Sequence, residues 1–369
     1  MDSGPRSCSD LRLDRDIHSR HWFLFHSQAA AHEFVRAIGR VVMLGAVDRR
    51  RYAAWLVSVY QWHWRTLLPL SAVLEFAAFL FFFRTVSGHR PQGSGKTKLE
   101  DWVFVVITGS VGLLLTLLVN FGVTLFLALR GTSPEIPADF DQRFLVLQTW
   151  GFLVPFVWGF SAKWLPVFLG LRPVSGRVLL RAVALNSAGV LIAFAGWMIA
   201  ASLVLVAGLI AAVYSLRLLE PTERPAKVKG VHTSFPVFVR LAYIWAVVAG
   251  TLSIWAASVQ SSHGIWGASR HALTVGFLAM MVFAIGQRVL PAFSGMRLLF
   301  STKLMFIATL FLAFGCLLRV SSEILAYQGW VYSAWAWLPV SAITEMTAVT
   351  LFAANLLVTF VRRPPSTQV

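Results

Sequence analysis

Nine times between residues 66 and 361 the chain runs apolar for long enough to cross a membrane. A spanning helix needs about 20 consecutive, mainly apolar residues, because its backbone N–H and C=O groups must be satisfied internally once water is gone. The spans read as 66–83, 102–129, 144–169, two within 178–219, 236–258, 271–291, 301–320 and 338–361. The stretch 178–219 is twice the needed length, so it reads as two helices turning near Gly196 with Trp197 at an interface. Composition agrees: 57% of residues are hydrophobic and 13% charged, against about 45–50% and about 25% in soluble domains. The expectation is an all-α membrane protein of about nine transmembrane helices. No uninterrupted apolar stretch followed by a small-residue cleavage site marks a signal peptide.

Lys and Arg outnumber Asp and Glu 32 to 16, for a formal net charge of +16. In such a chain the excess orders the helices instead of marking nucleic-acid binding, since Lys and Arg are retained in cytoplasmic loops. They crowd alternate connections: Lys163, Arg172, Arg177 and Arg181, then Arg217, Arg224, Lys227, Lys229 and Arg240, then Arg288, Arg297 and Lys303, and finally Arg362 and Arg363. The connections at 131–142, 196–198, 259–269 and 321–337 are poor in basic residues. This pattern predicts a multi-pass protein of the cell membrane with a cytoplasmic C-terminus. Residues 66–361 form the bundle and 362–369 a cytoplasmic tail. Residues 1–65 form a basic segment whose structure the pattern leaves open: a span at 22–47 would place the Arg49-Arg50-Arg51 run outside. An interfacial helix is one reading of that segment, and a shifted start or frame is another. Cys8 and Cys316 offer neither a disulfide framework nor a C-x-x-C pair.

Residues 151–172 align with 276–297 without a gap at an offset of 125, with nine identities in 22 positions. Gly151-Phe152-Leu153 recurs as Gly276-Phe277-Leu278, and Pro166, Gly170 and Arg172 recur as Pro291, Gly295 and Arg297, with Lys163 opposite Arg288. Apolar composition alone supplies far fewer matches, so the chain reads as duplicated four-helix units. Each copy ends in K/R-x-x-P followed by F-x-G-x-R. The proline is expected to break the helix, the glycine to allow a tight turn, and the arginine to anchor among lipid phosphates. A further step back of 125 lands on 26–47.

The second copy begins His271-Ala272-Leu273-Thr274-Val275-Gly276, with Arg288 twelve residues after the glycine and Gly295 nineteen after. This resembles the H-A-L-T-x-G…R…G signature of the NnrS family, membrane proteins of bacteria that contain haem and copper and are linked to nitric oxide metabolism. The resemblance implies haem and copper binding at the bacterial inner membrane and a part in the nitrosative-stress response; it carries no reaction. The family's N-terminal W-H-A-H-E-x-x-x-G motif meets only Ala31-His32-Glu33-Phe34 here, without the leading Trp-His.

Histidine is the natural axial ligand of haem and a good copper ligand. His271 stands at the end of a span, either as that ligand or as a satisfied interfacial histidine. His263 lies eight residues earlier, and His32 stands with Glu33, His26 and His21 in the polar N-terminal segment. In the first copy the position of His271 is held by Val146. Glu75 and Glu345 lie inside spans, where ionisable groups are costly. A proton relay is one role for them, and pairing with Arg240 or Lys163 is another. Asn120, Asn186 and Asn355 are expected to join helices by hydrogen bonds. Gly93-Ser94-Gly95-Lys96-Thr97 echoes a P-loop, but Arg90 stands where that motif needs glycine. The alternative to the NnrS-type reading is a metal-free transporter or structural membrane protein on the same scaffold.

Overall fold

The computed structural model describes residues 63–87, 100–259, 263–293 and 298–361. Among them every regular element is helical. Nine helices of 18 to 32 residues are long and apolar enough to span a membrane. They are α1 (Trp64–Ser87), α2 (Asp101–Arg130), α3 (Ala138–Leu169), α4 (Gly176–Phe194), α5 (Met198–Ser215), α6 (Phe235–Ser258), α7 (Gly264–Phe293), α8 (Thr302–Tyr327) and α9 (Ala334–Val361). The N-terminal segment, the P-loop echo at 93–97, His32, Gly295, Arg297 and the C-terminal tail lie outside the described residues.

Several helices start or stop beyond the hydropathic spans. α3 begins at 138 instead of 144, α7 at 264 instead of 271, and α8 runs to 327 instead of 320. Their extra turns carry Asp139, Asp141 and Arg143, then Arg270, then Glu323. Hydropathy marks only where the apolar stretch ends, while the backbone hydrogen bonds of a helix run on through polar residues that lie near its ends.

The described residues fall into two compact units. The first holds α1 and the second half of α2. There Asn120 Nδ2 donates to Glu75 Oε2 at 3.1 Å, and Arg65 Nη2 donates to the carbonyl of Gly131 at 3.4 Å. The second unit holds the first half of α2 and all of α3 to α9. Within it α2 approaches α3 backbone to backbone, since a Cβ on Gly112 would lie 1.9 Å from the Gly151 carbonyl oxygen. Glycine at such crossings lets helices come close where lipid provides no hydrophobic drive between them. Polar side chains add links: Asn186 Nδ2 donates to the Trp150 carbonyl at 2.6 Å, and Asn355 Nδ2 to Gln287 Oε1 at 2.7 Å.

The duplication is visible in the backbone. α3 changes from α- to π-helix at Leu147, and α7 does so at Ala272, 125 residues later. It also extends into the hairpins that follow, α4–α5 and α8–α9, where the sequences have drifted. Ser175 stands at the N-cap position of α4 without a side-chain bond, and Ser301 stands at that of α8, its hydroxyl accepting from the Leu304 N–H. The Ser175 carbonyl accepts from Ser215 Oγ at 2.9 Å on α5, and the Ser301 carbonyl accepts from Asn355 Nδ2 at 3.0 Å on α9. A Cβ on Gly189 would meet Leu205 Cγ at 2.7 Å, and one on Gly315 would meet Glu345 Cγ at 2.7 Å. These pairs match α4 to α8 and α5 to α9 residue for residue.

The copies' C-terminal prolines do not break their helices as expected. Pro166 sits inside α3, which ends at Gly170 with φ of 68°. Pro291 sits inside α7, which runs on to Phe293. A proline in the last turns forfeits one backbone bond without stopping the helix; the left-handed glycine stops it.

Candidate functional site

His271 is the last residue before the π segment of α7, and Glu345 lies eleven residues into α9. Their side chains meet, with His271 Nε2 2.8 Å from Glu345 Oε1. The side chains are 24% and 17% exposed. The contact depends on α8, where Gly315 leaves room for the Glu345 side chain and the buried Cys316 follows it. A π turn carries an extra residue and re-aims the side chains on either side of it, and such turns gather at functional sites. The one in α3 stands beside Val146, so the π turn belongs to the repeat and the polar pair to its second copy only.

A second pair lies on α8. Arg319 Nε stands 3.4 Å from Glu323 Oε2, and the Glu323 side chain is 10% exposed. Arg319 Nε is buried and makes no aligned hydrogen bond, so this is an ion pair through charge and not a directed bond. The Glu323 carboxylate presses on α7, where a Cβ at Gly267 would fall 1.9 Å from Oε1. The contacts that match the two hairpins put Val190, Ala193 and Leu205 of the first copy at the places of Cys316, Arg319 and Glu345. α4 ends before the place of Glu323. At these places the first copy is apolar where the second is polar.

The other residues singled out in the sequence lie elsewhere. His263 opens the helical segment His263–His271 that continues as α7, eight residues before His271. Glu75 belongs to the first unit with Asn120. Neither glutamate has Arg240 or Lys163 among its described partners: Arg240 Nε donates to the Leu218 carbonyl at 3.0 Å, and Lys163 Nζ to Glu100 Oε2 at 2.9 Å. Both cations sit near helix ends on the basic face. Gly276 accommodates the Trp245 ring, whose Cγ would lie 2.6 Å from a Cβ there. Arg288 and Pro291 lie in the last turns of α7, on the basic side of the bundle. Sequence reasoning missed Glu323 because the expected span closes at 320, and it did not single out Gly315 and Arg319, which lie inside that span. An Arg and a Glu four apart were the available signal that the helix continues.

An ionised carboxylate accepts hydrogen bonds only, so a neutral His271 facing Glu345 carries its proton on Nε2 and leaves the Nδ1 lone pair free for a ligand. A carboxylate on the far ring nitrogen is the usual way a metal-binding histidine is oriented. Among the described residues no three His, Cys, Asp or Glu side chains converge as a metal site. Those residues therefore fit one oriented imidazole ligand and not a complete set.

A family model described as a domain of unknown function, DUF8744, matches residues 148–361. The match covers more than half of the chain and takes in both repeat copies and both hairpins. No curated protein matches the chain.

Proposed function

The chain belongs to the DUF8744 family, and within that frame we propose that it is an NnrS-type integral membrane protein of the nitric oxide or nitrosative-stress response, binding haem and copper with His271 as a ligand. The observation that carries the reading is the His271–Glu345 pair at 2.8 Å, at the first residue of the H-A-L-T-x-G hexapeptide. In this reading Glu345 holds the ring in one tautomer and orientation, and Gly315 keeps the place where the carboxylate lies. The Arg319–Glu323 pair lies one helix turn or so from that place on α8 and adds a fixed field. A bound haem iron or copper, held by His271, would supply the chemistry of binding nitric oxide; among the described residues no further His, Cys, Asp or Glu side chains complete its ligand set. By the positive-inside rule the basic loops and the C-terminus face the cytoplasm of a bacterial cell.

A metal-free transporter is the second reading. It is favoured by the presence of two titratable pairs, His271–Glu345 and Arg319–Glu323, within the spans of one repeat. Ionisable groups at such depth mark proton and substrate pathways. The deciding experiment is to purify the protein in detergent and record oxidised and reduced absorption spectra with a metal assay, alongside His271→Ala and Glu345→Gln. Stoichiometric haem or copper, lost in His271→Ala and weakened in Glu345→Gln, supports the first reading. Folded protein free of both, whatever the variant, rejects it in favour of the second.

A further inference from the structure

The two repeat helices stand side by side in the second unit, and between them runs an apolar groove of about 350 Å³. Phe156, Phe160 and Trp164 line it from α3, and Met281, Ile285 and Val289 from α7. Each α7 residue is 125 positions after its α3 counterpart, so the helices are parallel and in register, and the groove lies on the axis that relates the copies.

At the basic end of this groove the charges are not balanced alike in the two copies. In the first copy Lys163 Nζ is bonded to Glu100 and lies 5.0 Å over the Trp102 ring. In the second copy Arg288 occupies the same position. Its guanidinium lies 4.1 Å over Phe168 and 5.3 Å from the Phe235 ring, and Phe168 stacks at 5.6 Å on Trp164 at the groove wall. One Arg288 N–H is donated to the Lys227 carbonyl. Among the described residues no carboxylate lies within 4.0 Å of it. A guanidinium has five N–H donors in a fork suited to phosphate. The neighbouring loop is held over the end of α3 by the Lys227 N–H on the Phe168 carbonyl at 2.9 Å, and it presents the exposed Arg224, Lys227 and Lys229.

We propose that this groove and Arg288 form a site for one anionic phospholipid, with an acyl chain lying between α3 and α7 and the phosphate on Arg288, Lys227 and Lys229. The lipid phosphate takes the place that Glu100 holds in the first copy. The site is independent of any metal at His271.

The test is native mass spectrometry of the full chain, released from nanodiscs of phosphatidylglycerol or of phosphatidylcholine. One phosphatidylglycerol is expected to stay bound where phosphatidylcholine is lost. Arg288→Gln lowers retention about tenfold, as fits the loss of one charge-assisted contact, Arg288→Lys keeps part of it, and Lys163→Gln changes nothing. Gly286→Leu fills the groove without touching a charge, since a Cβ there meets nothing closer than 3.8 Å; it abolishes retention too, and it decides the matter if Arg288→Gln fails to fold. Equal retention of both lipids, or retention unaffected by Gly286→Leu, overturns the proposal. So does displacement of the lipid by inorganic phosphate at similar concentration, which would make this a phosphate site without a chain.

Discussion

His271 Nε2 and Glu345 Oε1, 74 residues apart in the chain, lie 2.8 Å from each other across two helices, and the first copy of the repeat holds Val146 and Leu205 at the two places. Removing one member of such a pair leaves the other with its desolvation cost, while removing both does not. His271→Val or Glu345→Leu alone should destabilise by about 1–3 kcal/mol. The double variant, which rebuilds the first copy's solution, should return close to the parent. A double-mutant cycle from unfolding in detergent measures this, and additive losses would mean that the pair is not coupled.

Glycine positions rank by what their missing Cβ would strike. Gly112→Ala drives a methyl to 1.9 Å from a backbone oxygen of α3, which cannot rotate away, so a loss of about 3 kcal/mol or more is expected. Gly315→Ala meets the Glu345 side chain at 2.7 Å, and should cost less while lowering the His271–Glu345 coupling. Gly122→Ala meets nothing within 4 Å and should stabilise by up to about 1 kcal/mol through helix propensity. Melting temperatures of the three variants check the order.

Asn355 is fully buried and ties α9 to both Gln287 and the cap of α8, with the Ser301 N–H on its Oδ1 at 3.1 Å. Asn355→Leu strands those groups and should cost about 2–4 kcal/mol. Asn355→Ser copies Ser215 of the first hairpin and should cost visibly less. Equal losses in the two variants would contradict the matching of the hairpins.

The Glu100 carboxyl is held below the ordinary carboxylate range by hydrogen bonds from Lys163 and the Trp102 indole, and by the Lys163 charge. A group whose value is lower when folded adds stability above its unfolded value and loses it as the pH falls through its folded one. The difference in melting temperature between the parent and Glu100→Gln should therefore be constant at neutral pH and shrink in acid below the ordinary carboxylate range. Raised salt should reduce it, because the pair is exposed. A difference that grows in acid would contradict this account.

The helices were legible because apolar length is a property of the segment alone. Their true ends were not, since Asp139, Arg270 and Glu323 extend helices past the apolar stretches that hydropathy marks. The duplication was legible in 151–172 and 276–297, where Gly, Phe, Pro and Arg recur at one offset. It was hidden in the hairpins, where a serine hydroxyl at 215 and an asparagine amide at 355 reach the same carbonyl by different chemistry. His271 and Glu345 could each be singled out, one from a motif and one from the cost of a charge in lipid. That they belong together depends on how α7, α8 and α9 pack, and no local pattern encodes it. Glu75 carries the same signal as Glu345, yet lies in the other unit.

The π turns at Leu147 and Ala272 carry a history. An extra residue found at one register in both copies was inserted before there were two. Everything the copies share, including the cap serines and the tight glycines, therefore describes a single ancestral gene segment, and everything polar in the second copy alone was gained there or lost from its sister. The molecule thus carries its own outgroup: grafting the second copy's ionisable residues onto the first asks, within one polypeptide, how few changes turn a supporting half into a working one.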